Sequence, residues 1–348
     1  MSVFSLSLVS AEAIQGTIQD HFPIFAGEGQ FTFLPKTNFL TSTVNTNGVL
    51  DTVVSPGGAK KRIAKTVYQP RVREADVSTS VSFNCTSSNE AGQLSTTCEI
   101  DETAGVFIDE KIDRVALADI DMPNELYIAR RIMALQDALH RKLETGLGTK
   151  LAAAFGKYPD NDTSITGGTL KTVSTLQTSS DNTSLDAIEE LEYTRRLTGL
   201  SRMYTFGDNL LTKYVTRLDS GCCADGYGVD LATFAGRNGF VHFHDNRVSN
   251  DLDAGNFFIL FPGAAHIVSF NRFEGPNRIE DNSYKQMVVP SPLFPGLAFD
   301  VTMKEDCGDL YIEMGLAYEL CTAPTDYFAI DDRLDGFNGI LEGKVSNS

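Results

Sequence analysis

Positive charge is scarce in this sequence. Its 348 residues contain 29 Lys and Arg against 46 Asp and Glu, which gives a formal net charge of −17 at pH 7. Proteins that wrap nucleic acid do so through clustered Lys and Arg side chains, which neutralise the phosphates. We therefore expect no extended nucleic-acid-binding surface, and any contact with DNA to be weak or confined to a local patch.

Signals for export and for membrane insertion are also missing. The first Lys or Arg is Lys36, so the N-terminal segment lacks the positive region of a secretory signal. No stretch of the sequence is apolar over a length that could span a bilayer. We expect a protein that is made and kept in a cytoplasm, with no membrane partner and with reduced thiols.

The motifs of common catalytic sites do not occur. The six cysteines form no CxxC pair and have no His partner at zinc-finger spacing. There is no GxSxG or HExxH motif, and the residues around Gly146 and Lys150 lack the spacing of a phosphate loop. The vicinal pair Cys222 and Cys223 is compatible with reactivity, but small buried thiols are commoner than catalytic ones. These absences favour a structural protein without a cofactor over an enzyme.

One predicted strand, residues 239–245, carries side chains of the types that bind transition metals. His242 and His244 fall on the same face of this strand with Asp245 beside them, and a His-x-His pair can chelate a metal ion. No third ligand follows at an informative spacing. A metal-dependent hydrolase that uses these three residues therefore remains an alternative. It would be favoured if His244→Ala abolished a measurable activity and left assembly intact.

The most regular pattern in the chain predicts a long amphipathic helix over residues 121–155. Asp121 can cap its start. Gly146 and Gly148 each cost about 1 kcal/mol relative to Ala inside a helix, and we interpret them as a bend rather than a break. Apolar residues recur at spacings of three and four and so form one stripe: Ile128, Ile132, Leu135, Leu139 and Leu143.

Residues 1–47 have the composition of an arm rather than of a domain. A short periodic piece, residues 11–20, precedes several phenylalanines, among them Phe22 and Phe25, that lie between Gly, Pro and Thr. Such an irregular segment cannot bury these rings by itself. They must dock on the same subunit or on a neighbour, and both alternatives are open; Phe22 and Phe25 are candidate contacts between subunits.

Residues 48–120 change to a strand pattern with Gly- and Ser-rich turns, which predicts long antiparallel ribbons. A two-stranded ribbon has little core, so we expect it to lie against another subunit or the long helix. Positive charge concentrates here, either in a solvated turn or in a contact with acidic neighbouring subunits. The residues concerned are Lys60, Lys61, Arg62, Lys65, Arg71 and Arg73.

The second half of the chain predicts a mixed α/β unit followed by strands. A helix over residues 184–197 and strands over 202–206, 239–245 and 256–261 make up the α/β unit, and the apolar run 256–261 suits the centre of a sheet. Three strands follow, over residues 284–289, 297–303 and 310–321. We expect the last two to form an antiparallel pair that returns beside the long helix.

This order of parts resembles the major capsid proteins of tailed bacteriophages. The local resemblances are the ribbon, the long helix and the α/β unit, in which a strand, a loop, Gly255 and the strand from Asn256 follow one another. The resemblance implies an α+β fold with an N-terminal arm (1–47) and an extended β-loop with flanking strands (48–120). The fold continues with a spine helix and the first part of a peripheral domain (121–183). An axial domain follows (184–271). The rest of the peripheral domain and the C-terminal strands (272–348) complete the fold.

The resemblance also implies a function. Such a protein self-assembles as hexamers and pentamers into the icosahedral head that encloses the double-stranded DNA of the phage, and the head forms in the cytoplasm of the host bacterium. No long charged N-terminal extension is present, which implies a separate scaffolding protein; a portal and decoration proteins are further partners. An encapsulin-type nanocompartment shell, whose lumen binds the tails of cargo proteins, would share the fold and is a second alternative.

Some relatives cross-link covalently through a Lys and an Asn. Lys60 or Lys61 lies in the corresponding element, but no motif selects an Asn partner. We therefore do not transfer this chemistry to the chain.

Overall fold

The computed structural model describes residues 6, 10–27, 49–58, 60–68, 71, 94–113, 124–157, 171–174, 195–200, 202–207, 240–244, 252–253, 255–273, 278–291, 296–334 and 336–346. Two helices in these ranges are longer than three turns, α1 (Ala11–Gly27) and α2 (Asn124–Ala152). The strands are β1 (Val49–Gly58), β2 (Lys61–Tyr68), β3 (Leu94–Asp101), β4 (Gly105–Ile112), β5 (Lys171–Ser174), β6 (Met203–Gly207), β7 (Phe240–His244), β8 (Asn256–Leu260), β9 (Ala265–Phe270), β10 (Tyr284–Pro290), β11 (Ala298–Asp306), β12 (Asp309–Thr322) and β13 (Ile340–Ser346).

The strands form three sheets. The hairpin sheet has the order β1-β2-β3 and is antiparallel throughout. The central sheet has the order β10-β11-β12-β4, and β9 pairs with the C-terminal part of β12 beyond the end of β4. The mixed sheet has the order β5-β13-β8-β6-β7, in which β5 with β13 and β6 with β7 are the parallel pairs. Helix and sheet together agree with the predicted α+β class.

Helix α2 lies against the central sheet and supplies the middle of the core. It has 29 residues, which corresponds to about 43 Å at 1.5 Å per residue. It packs on β4 and β12 and also contacts α1. The predicted helix is confirmed, although Asp121 lies outside the described residues and its capping role stays a prediction. All five residues of the predicted apolar stripe are buried: Ile128, Ile132, Leu135, Leu139 and Leu143.

The two glycines of α2 do not interrupt the helix, which continues through Gly146 and Gly148 to Ala152. The hydroxyl of Tyr318, on β12, lies where a Cβ of residue 146 would be. A glycine at this position therefore lets the helix approach the central sheet closely. The antiparallel pair of β11 and β12 beside the helix is confirmed.

Helix α1 docks on its own chain. It contacts α2 and β10, and Ile14 and Ile18 are buried in the common core. The side-chain amide of Gln15 donates a hydrogen bond to the carbonyl oxygen of Val288 over 2.6 Å. For the first part of the arm the structure thus favours docking within the subunit; the side chains of Phe22 and Phe25 lie outside the described part.

The mixed sheet is built around β8, all of whose residues are buried, as the apolar run predicts. Its neighbour β13 comes from the end of the chain and pairs with β8 in antiparallel register. Strand β9, at residues 265–270, belongs instead to the central sheet, although it lies within the predicted axial domain. Strand pairing thus crosses the predicted boundary at residues 271 and 272, and the domain limits stay a prediction.

The hairpin sheet confirms the antiparallel ribbon for β1, β2 and β3, whereas residues 72–93 of the predicted ribbon are not among the described residues. The last strand of the predicted ribbon, β4, leaves this sheet and pairs with β12 instead. No described helix is long and apolar enough to cross a membrane.

One sequence-based expectation, that of reduced thiols, is wrong for two cysteines. Cys98 on β3 and Cys321 on β12 form a disulfide, although 223 residues separate them in the sequence. The fold brings the two strands together, and no local spacing could indicate this. Cys307 is free and exposed in the turn between β11 and β12.

Candidate assembly interface

The hairpin sheet joins the rest of the molecule through Tyr68, which is fully buried in the main core, and through a separate small apolar cluster. Strand β3 packs on β12, and the buried side chains between the two sheets form a cluster of their own. Most of these side chains are small, so they bury little apolar area and supply only a modest stabilisation. The cluster consists of Ala64, Ile100, Val268, Ala317 and Cys321, with Cys98 and Phe270 at its edge.

Among the predicted inter-subunit residues, Arg62, Arg71 and Lys61 already have partners in their own chain. Nε of Arg62 lies 2.6 Å from a carboxylate oxygen of Glu102, and its guanidinium lies 4.4 Å from the ring centroid of Phe270. Arg71 donates a hydrogen bond to the carbonyl oxygen of Thr198 over 2.7 Å. The pair of Arg62 with Glu102 lies within the hairpin region, whereas its contact with Phe270 on β9 reaches the central sheet. Arg71 ties the segment after β2 to Thr198. Arg73 lies outside the described residues.

A buried hydrogen-bond chain adds to this attachment. His266, on β9, contacts the hydroxyl of Thr66 through Nε2 at 2.7 Å and that of Tyr68 through Nδ1 at 3.0 Å. Burial lowers the pKa of His266 to about 4, so the imidazole is neutral near pH 7. Because the three groups belong to β2 and β9, the chain bridges the hairpin sheet and the central sheet.

The turn between β1 and β2 carries the remaining basic candidates. Lys60 is exposed and has a φ of 60°, which places it in the left-handed region. Its carbonyl oxygen accepts a hydrogen bond from the amide of Glu102 over 2.9 Å. Lys61 pairs with Glu99, and this hydrogen bond raises the pKa of Lys61. The turn is therefore an ordered structure in which the side chain of Lys60 is exposed to the solvent and that of Lys61 is engaged by Glu99.

The central sheet offers an acidic surface on the face opposite α2. On β4, Val106 and Ile112 are buried, whereas the intervening Phe107 and Asp109 are exposed. In the register of β4 and β12, Asp109 stands directly opposite Glu313. Two like charges directly opposite each other in such a pair destabilise a sheet. A cation brought from outside would relieve this repulsion.

We call this surface the acidic patch and define it by Phe107, Asp109 and Glu313. Within the described ranges, neither carboxylate of the patch makes an ion pair. The ring of Phe107 is 50% exposed although it is large and apolar. The patch borders a groove of about 290 Å³, to which Arg272 and Asp300 also contribute. The ring of Phe107 covers Gly315, and the guanidinium of Arg272 lies 5.6 Å from its centroid. The two neighbouring carboxylates make this face a candidate contact surface for a cationic group.

The structure tells little about the proposed metal ligands. Strand β7 lies at the edge of the mixed sheet, beside β6. The side chains of His242 and His244 and all of Asp245 are outside what the structure describes. In the described part of the chain, no group of three or more His, Cys, Asp or Glu could hold a metal ion. The metal site stays a prediction from sequence alone.

Sequence reasoning missed the acidic patch and the role of His266. Alternation along residues 105–117 could have placed Asp109 on an exposed face, since alternate residues of a strand point to opposite faces. It could not have identified Glu313 as the opposite residue, because that depends on a pairing over 204 positions (from 109 to 313). His266 carried no signal beyond being one of five scattered histidines.

Comparison with known proteins gives matches in structure and not in sequence. No protein-family model matches the chain, and no curated protein sequence matches it at a significant level. A capsid chain of cyanophage A-1(L) is similar in structure, with a TM-score of 0.50 and 12% identity, over 90% of this chain and 93% of that chain.

Two further solved structures match less well. The capsid of phage XM1 gives a TM-score of 0.43 at 10% identity, over 89% of this chain and 92% of that chain. A virus-like particle from Pyrococcus furiosus gives 0.38 at 10% identity, over 96% and 99%. Of the three, the A-1(L) chain alone reaches the level from which a common fold can be inferred. The chain described here therefore has the fold of a phage capsid protein, as the resemblance in its sequence predicts.

Proposed function

We propose that this chain is a major capsid protein, which self-assembles as hexamers and pentamers into the icosahedral head enclosing the double-stranded DNA of a phage. The observation that carries the proposal is the fold shared with the A-1(L) capsid chain, which extends over nearly the whole of both chains. A fold alone does not fix a function. The surfaces of the molecule supply the rest of the argument.

The basic turn and the acidic patch are complementary in charge. Lys60 and Lys61 lie in the turn of the hairpin sheet, whereas Asp109 and Glu313 lie on the central sheet. We propose that the turn of one copy binds the patch of the next. Because the two surfaces differ, the contact is head-to-tail, and contacts of this type generate rings when the rotation between copies closes.

The charge balance supports a role as a wall around DNA. A chain with a net charge of −17 does not bind the phosphates of packaged DNA tightly along its length. The role we propose is structural and not catalytic, with the virion as the final location and the bacterial cytoplasm as the place of assembly. A scaffolding protein, a portal and decoration proteins are proposed partners on the basis of the sequence resemblance alone.

Reversal of single charges tests the contact between copies. We expect Lys60→Glu and Glu313→Lys each to lower the fraction of chain found in large assemblies, and the combined variant to recover much of it. One such exposed pair contributes only about 1 kcal/mol or less, but a shell repeats it in every copy. Sedimentation velocity of the purified variants measures the assembled fraction.

Lys142→Glu is the matched control, since Lys142 is an exposed lysine on α2 with the same charge change. If the combined variant assembles no better than either single variant, the proposed pairing of Lys60 with Glu313 is wrong. Nuclease-protected DNA inside isolated particles distinguishes a phage head from an encapsulin-type shell, which would contain protein cargo instead.

A further inference from the structure

The disulfide between Cys98 and Cys321 connects two sheets that also meet through the small apolar cluster, the buried ring of Tyr68 and the hydrogen bonds of His266. The two Cα atoms are 5.9 Å apart, a normal separation for a disulfide. Cys98 belongs to the hairpin sheet, and Cys321 belongs to the central sheet. The bond is thus the covalent tie between the sheet that presents the basic turn and the sheet that carries the acidic patch.

The two sulfur atoms differ in their surroundings. Cys321 is fully buried, whereas Cys98 is partly exposed. Cys98 lines a groove of about 580 Å³ that opens between β3 and the end of β12. Thr97, Thr322 and Thr325 also line this groove, so its walls are partly polar. Such a groove gives a small dissolved thiol a route to one sulfur of the bond and not to the other.

We propose that Cys98–Cys321 is a reversible thiol–disulfide exchange site, whose ligands are small-molecule thiols and disulfides, and that it controls how firmly the hairpin sheet is held. The thiolate of a small thiol attacks Sγ of Cys98, and the bond to Cys321 breaks. Cys321 leaves as a thiolate and takes up a proton. The thiolate of a second small thiol then attacks the outer sulfur of the mixed disulfide, so that the small-molecule disulfide is released and Cys98 leaves as a thiolate, which takes up a proton.

In this exchange the protein disulfide gains two electrons and two molecules of the small thiol are oxidised to one disulfide. The reverse reaction, with a small-molecule disulfide as the oxidant, restores the bond. Thiols are kept reduced in a cytoplasm and oxidise outside it. The site would therefore be open while the chain is in a reducing compartment and closed after its release.

Reduction leaves the hairpin sheet attached by non-covalent contacts. The hydrogen bonds of His266 to Thr66 and Tyr68 and the contact of the Arg62 guanidinium with the ring of Phe270, at 4.4 Å, do not involve sulfur. We therefore expect the reduced chain to stay folded and to become less stable, because the cut bond no longer restricts the unfolded chain. This inference concerns one folded chain and does not depend on the proposed shell.

Thiol mapping of the purified full-length chain tests the site. Without a reducing agent, denaturation in iodoacetamide and mass spectrometry are expected to give a linked pair of peptides that contain Cys98 and Cys321. After treatment of the folded chain with dithiothreitol, both cysteines should be alkylated while the circular dichroism spectrum is unchanged. Two alkylated cysteines in the untreated, oxidised chain, or a bond that dithiothreitol cuts only after unfolding, would overturn the proposal.

Guanidinium unfolding gives a second and independent test. Dithiothreitol is expected to lower the unfolding midpoint of the wild-type chain and of Cys307→Ser, the control at the free, exposed cysteine. It should leave the midpoint of Cys98→Ser unchanged, at the value of the reduced wild type. An equal shift in Cys98→Ser and in the wild type would contradict a role for this bond, and the thiol mapping stays decisive if that variant fails to fold.

Discussion

Gly146 shows how a single hydrogen atom in place of a side chain can set the distance between a helix and a sheet. Inside a helix, Ala is about 1 kcal/mol more favourable than Gly. At this position a Cβ would overlap the hydroxyl of Tyr318, whose ring is buried in the core. We interpret the glycine as a requirement of packing, which outweighs its unfavourable helix propensity.

We predict that Gly146→Ala lowers the free energy of unfolding by about 1–2 kcal/mol, because overpacking outweighs the gain in helix propensity. Gly16→Ala in α1 is the control, since nothing lies within 4 Å of a Cβ there. This control should raise the free energy of unfolding by up to about 1 kcal/mol. Guanidinium unfolding measures both changes, and a stabilised Gly146→Ala would show that Tyr318 does not restrict the site.

The buried histidines make stability depend on pH. Burial lowers the pKa of His266, and likewise that of His140, to about 4, below the ordinary value of 6.5. As the pH falls below 6.5, the unfolded chain therefore binds a proton before the folded chain does. The contribution of each neutral histidine is fully present above about pH 6.5 and is lost between pH 6.5 and 4.

We predict that the free energy of unfolding falls between pH 7 and pH 4.5, by about 2–3 kcal/mol for each of these two histidines. His266→Gln, which cannot titrate, should show a fall that is smaller by this amount, whatever its stability at pH 7. Carboxylates with a lowered pKa, such as Asp331 at about 2, act mainly below this range. Unfolding curves at both pH values measure the effect, and an equal fall in variant and wild type would exclude His266 as its source.

At the scale of elements, the attachment of helix α1 to the core is the one that single substitutions can test most directly. Ile14 and Ile18 are its buried contacts with the core, and it also contacts β10 through Gln15. Helices of this length are marginal in water without tertiary packing. The helix therefore depends on these few contacts.

We predict that Ile14→Ala lowers the free energy of unfolding by about 2–4 kcal/mol, through lost burial and the cavity that remains. Gln19→Ala, on the exposed face of the same helix, should change it by less than about 0.5 kcal/mol. Denaturant unfolding of the two variants measures the difference. Equal stabilities would mean that α1 does not dock on the core in solution.

Elements with a local signal could be predicted from the sequence. Helix α2 is indicated by apolar residues at spacings of three and four, and strand β8 by a short run of apolar residues. Each of these patterns lies within one continuous segment. The pairing of β4 with β12 and of β13 with β8 has no such signal, because the partners are far apart in the chain. For the same reason the acidic patch and the disulfide could not be predicted, whereas the basic turn, as one continuous segment, could.

At the scale of the whole molecule, burial within the chain is unevenly distributed. The central and mixed sheets share one large core with α1 and α2, to which the hairpin sheet contributes Tyr68, whereas its Ala64 and Ile100 lie in the small cluster. Its turn presents basic groups in a chain of strongly negative net charge. This arrangement is consistent with a subunit that completes its packing on neighbouring copies, as a closed shell of many identical chains requires.

Electron microscopy of negatively stained particles tests the central proposal most directly. The full-length chain is expressed alone and together with the products of its neighbouring genes, and each sample is sized by chromatography before imaging. We predict closed shells, tubes, or rings of five and six copies. A uniform monomer or dimer under both conditions would contradict a shell-forming function and would direct attention to the strand that carries His242 and His244.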